Sequence, residues 1–186
     1  MQLTLKISRF DKIESLQEED FVRSFDTNVK GVWLWARQVL PAMKRQRRGQ
    51  LVFVSSIAGI RKLANCSIYG ASKWAVQGMA GSLREECRGT GVKIATLCPG
   101  SVATPWWLER ERGGKDVPAT EEQMAKMLTP DDVASAAMTI VDQVFAIVAP
   151  PPHGRRPQTI QHAYRYSSGA HGFASSTRLS VFIRRA

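Results

Sequence analysis

The chain has 186 residues, 44% of them hydrophobic, and a formal net charge of +10, which is enough length and apolar content for one domain with its own core. It contains no run of eighteen apolar residues, so no membrane span is expected. Its three cysteines lack metal-ligand spacing and its three histidines all follow residue 150, so we expect neither a metal site nor a disulfide framework. These features favour a cytoplasmic protein.

The positive charge is unevenly distributed, and its position argues against a nucleic-acid partner. Residues 143–186 contain six arginines and no acidic residue, which accounts for +6 of the +10. In the rest of the chain the basic cluster is Lys44–Arg48, at the predicted end of a helix, where cations interact favourably with the helix dipole. A solvated helix end is therefore favoured over a phosphate-binding patch.

Helical and strand patterns alternate along the first part of the chain. Ser15 and Glu18 have the spacing of a capping box, which predicts a helix start. A helical pattern resumes near Asn28 and continues to Met43. The short, apolar and β-branched segment Gln50–Ser55 predicts a central parallel strand.

The same alternation continues in the second part. A long helix ends near Gly89, and Val92–Cys98 predicts a second buried strand. A short helix is predicted over Thr120–Met127, and a longer one begins after Thr129, a capping residue that is followed by Pro130. This order of elements predicts an α/β fold with a parallel sheet.

Both ends of the chain carry separate expectations. Residues 1–142 are expected to form the α/β domain, whereas residues 143–186 are rich in proline, serine, arginine and glycine and are predicted to be disordered. At the start, apolar and polar residues alternate over Met1–Ser8 with the two-residue period of a strand. We hypothesise that this segment pairs with an open edge of the sheet.

Tyr69 and Lys73 are four residues apart, so on a helix they project from one face and reach the same volume. A phenol beside an ammonium suits proton transfer to a carbonyl oxygen, because the cation is expected to lower the phenol's pKa from about 10. Ser56 supplies a hydroxyl thirteen residues before Tyr69. Alternatively, Tyr69 is a half-buried helix tyrosine beside an exposed Lys73. Ser56 is alternatively a helix or turn cap, in which case Ser55 takes the hydroxyl role.

Ser56, the run Tyr69–Lys73 (YGASK) and the run Pro99–Thr104 (PGSVAT) together resemble the motifs of the short-chain dehydrogenase/reductase family. Asn28 matches the family's fourth active-site residue, with a capping or kink residue as the alternative. The resemblance covers roughly residues 10–142 and implies a doubly wound, Rossmann-like parallel sheet. It also implies an oxidoreductase that interconverts a carbonyl compound and a secondary alcohol, with NAD or NADP as cofactor.

The resemblance implies a role for each of these residues. Tyr69 donates the proton in reduction and accepts it in oxidation, Ser56 holds the substrate oxygen, and Lys73 lowers the tyrosine pKa and binds the nicotinamide ribose. Asn28 anchors a water that links Lys73 to solvent. The residues implied around the nicotinamide ring are Pro99, Gly100, Val102 and Thr104.

Trp106 and Trp107 follow this motif, where the family places its specificity segment. They either line the substrate pocket or serve as packing residues. The family also implies a homo-oligomer in which the helix containing Asn28 and the helix containing Tyr69 pair across a two-fold axis.

The Gly-rich turn that binds the cofactor's pyrophosphate in this family has no counterpart in the sequence, since no glycine cluster follows a strand and opens a helix. We therefore expect an N-terminally truncated member with weak or no affinity for the dinucleotide. The alternative to an enzyme is a non-catalytic remnant that acts as a subunit partner. These motifs do not specify the substrate or the choice between NAD and NADP.

Overall fold

The computed structural model describes residues 10–108 and 119–143, together with the backbone of residues 180–182. Within these ranges, helices and strands alternate as the sequence predicts. The strands are β1 (Gly49–Val54), β2 (Val92–Cys98) and β3 (Ser180–Phe182), and the α-helices are α1 (Glu18–Phe25), α2 (Gly31–Arg45), α3 (Ser67–Glu86), α4 (Glu121–Ala125) and α5 (Pro130–Gln143).

The sheet has the order β1-β2-β3. β1 and β2 are parallel, with Cα partners from Gly49 and Val92 to Val54 and Leu97. β3 pairs antiparallel with β2, where Phe182 lies opposite Thr96. The predicted bounds of β2 are confirmed, and β1 begins and ends one residue before its predicted segment.

Helices cover both faces of the sheet, as the predicted doubly wound, Rossmann-like α/β fold requires. On one face a buried cluster joins Leu40 of α2 and Val76 of α3 to Phe53 and Ile94 of the sheet. On the other face Ala136 and Ile140 of α5 pack against Ala95 and Leu97. Neighbouring residues of β2 therefore point into different clusters, which explains why the whole strand is apolar.

Local hydrogen bonds set the helix starts, and one predicted start is wrong. Ser15 ends a 3-10 turn, and α1 begins after Gln17, whose backbone N–H donates to Asp20 Oδ2 at 3.1 Å. At α5 the predicted cap is confirmed, because the Thr129 N–H donates to Asp132 Oδ2 (2.8 Å) and the Asp132 N–H donates to Thr129 Oγ1 (3.1 Å).

α1 and α2 are joined without a loop. Residues Asp26–Lys30 form a π-helical segment between them, a wider turn of the kind often found at functional sites. Asn28 lies in this segment with only 4% of its surface exposed. The sequence pattern showed a resumed helix there, but not the wider turn.

Two of the expectations for the chain ends fall largely outside the described residues. The hypothesis that Met1–Ser8 pairs with a sheet edge concerns residues that the structure does not describe. For residues 143–186, disorder stays a prediction except at residues 180–182, where the backbone forms β3 instead. Among the described helices, none has the length and hydropathy needed to cross a membrane.

Candidate active site

The predicted site residues meet at the carboxyl ends of β1 and β2, which is where open α/β sheets bind ligands. Ser55 and Ser56 follow β1, Pro99 and Gly100 follow β2, and the first half of α3 lies beside them. Two backbone hydrogen bonds hold these strand ends together. The Ser55 N–H donates to the Leu97 carbonyl at 2.8 Å, and the Ile57 N–H donates to the Pro99 carbonyl at 2.9 Å.

Ser56 is buried and faces Tyr69. Its extended backbone caps the 3-10 turn Ile57–Gly59, and its hydroxyl oxygen accepts a hydrogen bond from the Ala58 N–H at 3.2 Å. The side chains of Ser56 and Tyr69 line the same cavity, and the Ser56 hydroxyl is close enough to lower the pKa of the phenol. A ligand oxygen placed between the two hydroxyls could therefore contact both.

The pKa of Tyr69 is raised from its ordinary value, which corrects the expectation that Lys73 lowers it. Burial of the phenol is the largest cause, the nearby Ser56 side chain opposes it, and the Cys66 thiol adds a smaller raising effect. Lys73 is not among the causes of the shift. Its ammonium lies over the tyrosine ring, 5.7 Å from the ring centroid.

Lys73 is itself half-buried, and burial lowers its pKa to about 8. Its Nζ donates to the Val54 carbonyl at 3.4 Å, at the end of β1. At neutral pH the ammonium is still mostly protonated, but it is close to the range in which it can release a proton. The site thus holds a phenol that retains its proton and an amine that exchanges one readily.

A set of contacts fixes α3 against the strand ends. The Ser55 hydroxyl donates to the Lys73 carbonyl at 3.0 Å, and Gln77 Nε2 donates to Cys98 Sγ at 2.9 Å. Gly59 lies so close that an added Cβ would stand 2.5 Å from Ser55 Oγ. These contacts fix α3, and with it Tyr69 and Lys73, relative to Ser56. Ser55 therefore helps to position α3 through its hydrogen bond to the Lys73 carbonyl.

Asn28 contacts α3 through Ser72. Its Nδ2 donates to Ser72 Oγ at 3.0 Å, and the Ser72 hydroxyl donates to the Tyr69 carbonyl at 2.7 Å. Ser72 is fully buried. In the described part of the chain no hydrogen bond joins Asn28 to Lys73, although both line the same groove.

A cavity of about 290 Å³ opens over Ser56 and Tyr69. It brings together most of the residues predicted for substrate and cofactor, namely Ser56, Tyr69, Gly100, Val102, Thr104, Trp106 and Trp107. Sequence reasoning missed Phe10, whose ring lies 5.1 Å from the rings of both Tyr69 and Trp106. Phe10 precedes the first predicted element, and no local signal marks it as part of the site.

A second, larger concavity of about 700 Å³ lies between α2 and β1 and ends at Asn28, Val54 and Lys73. Its remaining lining is mostly apolar, including Trp35, Val39 and Leu51. Two residues fit the ring end of a nicotinamide dinucleotide. Lys73 supplies hydrogen-bond donors, and the space around Gly100 is open because a Cβ built there would meet nothing within 4 Å. Among the described residues, no glycine-rich turn follows a strand, so the phosphate end has no counterpart.

The parallel sheet with helices on both faces, and the hydroxyls of Ser56 and Tyr69 at the carboxyl ends of its strands, define a Rossmann-like α/β domain. The comparisons with known proteins agree with this fold. The family model for short chain dehydrogenases matches residues 6–113. The sepiapterin reductase of Chlorobaculum tepidum is 33% identical over 147 residues, which cover 75% of this chain and 57% of that protein. A short-chain dehydrogenase/reductase homolog of Bacillus subtilis, YusR, is 35% identical over 115 residues, covering 62% of this chain and 88% of YusR.

A similar solved structure is the alcohol dehydrogenase from the archaeon Thermococcus sibiricus complexed with 5-hydroxy-NADP. It is 25% identical with a TM-score of 0.59, and the match covers 73% of this chain and 53% of that one. The chain belongs to the short-chain dehydrogenase family. It spans little more than half the length of most of the curated relatives it matches, with YusR as an exception.

Proposed function

We propose that the chain carries the catalytic and substrate-binding part of an NAD(P)-dependent oxidoreductase that interconverts a carbonyl compound and a secondary alcohol. The observation that supports this proposal most directly is that Ser56 and Tyr69 line one cavity that continues past Gly100. Family membership supports the oxidoreductase class.

In the reductive direction, Tyr69 donates its hydroxyl proton to the substrate oxygen while Ser56 donates a hydrogen bond to the same oxygen. The raised pKa of Tyr69 keeps its proton in place at neutral pH until the oxygen becomes basic. Lys73, whose Nζ lies 5.7 Å from the centroid of the phenol ring and whose pKa is about 8, supplies a proton that restores the phenol. In the oxidative direction, Tyr69 acts as the phenolate and accepts the proton of the alcohol.

A bound nicotinamide dinucleotide would supply or accept the hydride at the substrate carbon. The residues that would hold its ring end are Lys73 together with Pro99, Gly100, Val102 and Thr104. Asn28 acts in this proposal through Ser72 and the Tyr69 carbonyl, as a residue that positions α3. The choice between NAD and NADP lies with residues that bind the adenosine end.

A second candidate function is that of a non-catalytic subunit partner. The observation that favours it is the apolar groove beside β1. In the described part of the chain, β1 pairs with β2 on one side and with no strand on the other. Unpaired strand edges next to apolar surface are sites of association with another chain. With no Gly-rich turn in the sequence, such a chain would bind no dinucleotide by itself.

Turnover that depends on Tyr69 tests the proposal. The purified 186-residue chain is mixed with millimolar NADPH or NADH and a panel of ketones, and loss of the reduced cofactor's absorbance is followed. Tyr69→Phe keeps the ring against Phe10 but removes the transferable proton, so we expect it to lower kcat by about 10²- to 10⁴-fold. An unchanged kcat in this variant would show that Tyr69 is not the proton donor.

Calorimetric titration separates the two candidates further. We expect dinucleotide binding weaker than about 100 μM, because backbone N–H groups of a Gly-rich turn supply much of the affinity in this fold. A folded chain without turnover at millimolar cofactor supports the subunit partner. Low-micromolar binding of NADH or NADPH would contradict the expected weak affinity.

We also propose a cytoplasmic homo-oligomer that acts on a small-molecule carbonyl or alcohol.

A further inference from the structure

The larger concavity follows the outer edge of β1. Four consecutive residues of the strand, Leu51–Val54, line it together with one side of α2. Successive side chains of a strand point to opposite faces of the sheet, so four residues in a row can line one concavity only along the edge of the strand. In the described part of the chain, β1 pairs with β2 on its other edge and with no strand on this one.

The backbone N–H groups of β1 alternate between these two edges. The Ser55 N–H donates to a carbonyl of β2 at 2.8 Å, so the N–H groups of Leu51 and Phe53 also point towards β2. Those of Val52 and Val54 point into the concavity. An edge of this kind leaves such groups without the partners that a neighbouring strand supplies, and an extended segment can pair with it.

The connections between the strands place a preceding strand at this edge. α2 precedes β1, α3 joins β1 to β2, and both helices pack on the same face of the sheet, where Leu40 and Val76 share one buried cluster. Crossovers between parallel strands are right-handed in almost every protein. Two successive crossovers of the same hand on the same face advance the sheet in the same direction. A parallel strand before α2 therefore lies next to β1, on the side away from β2.

The residues that precede Phe10 have the pattern of such an edge strand. Over Met1–Ser8 apolar and polar side chains alternate, which gives an extended segment one apolar face. The apolar residues after Met1 are Leu3, Leu5 and Ile7. An apolar face fits the concavity, because Trp35 and Val39 of α2 line it.

Phe10 fixes where this segment joins the described structure. Its ring lies 5.1 Å from that of Tyr69, and the neighbouring Lys73 donates to the Val54 carbonyl at the end of β1. Nine residues precede Phe10, and at about 3.3 Å each they extend for about 30 Å. The six residues of β1 span only about 20 Å. The segment is therefore long enough to follow the whole edge of β1, and it must run parallel to β1 to reach Phe10 at the carboxyl end.

We propose that Met1–Ser8 forms a parallel edge strand on β1, with its apolar face in the concavity and its polar face, which carries Lys6, on the opposite side. A lysine on an outer strand discourages edge-to-edge association with another sheet. The occupant of the concavity is then a segment of this chain, so the groove that favours a subunit partner is closed from within. The inference does not rest on the proposed oxidoreductase function, because its tests measure pairing and not turnover.

Amide hydrogen exchange, followed by nuclear magnetic resonance on the full chain, tests the pairing residue by residue. The N–H groups of Val52 and Val54 should exchange at least about 100-fold more slowly than those of an unpaired strand edge, because they donate to the added strand. The N–H groups of Leu51 and Phe53 are internal controls, since β2 protects them in either case. Fast exchange at Val52 and Val54 in the original chain would overturn the proposal.

A matched pair of variants tests which face of the segment enters the concavity. Leu5→Asn and Thr4→Asn introduce the same short polar side chain on opposite faces. Leu5→Asn should speed exchange at Val52 and Val54 at least about tenfold and lower the melting temperature by about 5 °C or more. Thr4→Asn should leave the exchange rates within about twofold of the original. Equal effects of the two substitutions would contradict the assigned faces and overturn the proposal.

Two further observations on the original chain keep the test decisive if Leu5→Asn fails to fold. The methyl groups of Leu5 must show nuclear Overhauser contacts with the side chains of Trp35 or Val39, and their absence would overturn the proposal. Protection of Val52 and Val54 must also be independent of protein concentration. Protection that grows with concentration would assign the edge of β1 to a second copy of the chain instead.

Discussion

At the scale of single residues, the site combines a half-buried phenol with a half-buried ammonium. Burial raises the pKa of Tyr69 and lowers that of Lys73 to about 8, because an apolar surrounding disfavours both charged forms. Well above pH 8 Lys73 is therefore mostly neutral, and Tyr69 keeps its proton to a higher pH than an ordinary tyrosine does. Tyr69 keeps the proton that it must donate, and Lys73 can pass one on.

Lys73 also gives the folded chain a characteristic pH dependence. Its pKa falls from 10.5 to about 8 on folding, so below pH 8 the folded state holds a partly desolvated cation. As pH rises from 8 to 10.5, the unfolded state binds more protons than the folded state at this position, and stability increases. The raised pKa values of Tyr69, Cys66 and Cys98 act in the opposite direction above about pH 9.

Lys73→Met isolates this contribution, because the tyrosine and both cysteines are present in each protein. We predict that the variant is more stable than the original chain at pH 7, by on the order of 1–3 kcal/mol. The difference should shrink as pH rises from 8 to 10. Urea unfolding at several pH values measures it. A constant difference over this range would show that the Lys73 pKa is not lowered by folding.

At the scale of elements, two tight turns meet at the start of the sheet. The turn between α2 and β1 contains Arg47 at φ 51°, and the turn between α3 and β2 contains Gly89 and Gly91 at φ 74° and 81°. Arg47 Nη2 donates to the Gly89 carbonyl at 3.2 Å. Gly91 packs directly against the Arg47 backbone, where no Cβ fits, whereas a Cβ on Gly89 would meet nothing within 4 Å.

These two glycines form a matched pair for testing the contact between the turns. Gly89→Ala is expected to destabilise the fold by about 1 kcal/mol, because it places a side chain at positive φ without a clash. Gly91→Ala adds a collision with the Arg47 carbonyl and should cost at least about 2 kcal/mol more. Thermal or urea unfolding measures both. Equal losses would mean that the two turns are not in tight contact.

The sequence predicted those elements whose signals are local and repeated. The apolar run of β2 and the cap at Thr129 are visible without any tertiary information, and both are confirmed. The start of α1 was misplaced because Ser15 and Gln17 both have a suitable acidic residue three positions later. The wide turn around Asn28 follows from packing against Ser72, which no spacing rule encodes.

The site was predictable to the extent that its residues lie on one helix or follow a strand. Tyr69 and Lys73 share α3, and Ser56 follows β1, so their proximity follows from the pattern. The direction of the Tyr69 pKa shift was wrong, because burial outweighs a cation that points to the Val54 carbonyl. Phe10 reaches the cavity through the tertiary fold alone.

At the scale of the whole molecule, exposed apolar surface is concentrated on α2 and extends to α3. Trp33, Leu34 and Trp35 of α2 are 46%, 45% and 61% exposed, and Trp74 of α3 is 50% exposed. Three successive apolar residues of α2 cannot all face one core, so part of this surface is available to another chain. The outer edge of β1 lies beside the same helix.

We predict a homo-oligomer in which the face of α3 that carries Gly78 and Gly81 packs closely against a second copy. An added Cβ at either glycine meets nothing within 4 Å, so the single chain leaves room there for a neighbouring helix. Light scattering at micromolar concentration should give a mass that is a multiple of 20.7 kDa.

Gly78→Leu tests this interface without disturbing the single chain. The larger side chain should block close approach and give a monomer, while the higher helix propensity of leucine stabilises α3 by roughly 0.5–1 kcal/mol. Ala134→Leu adds leucine to an exposed position of α5 and should leave the mass unchanged. A monomeric original chain with a cooperative melt would contradict the prediction. So would a Gly78→Leu variant whose mass equals that of the original oligomer, since the oligomer would then form through another surface.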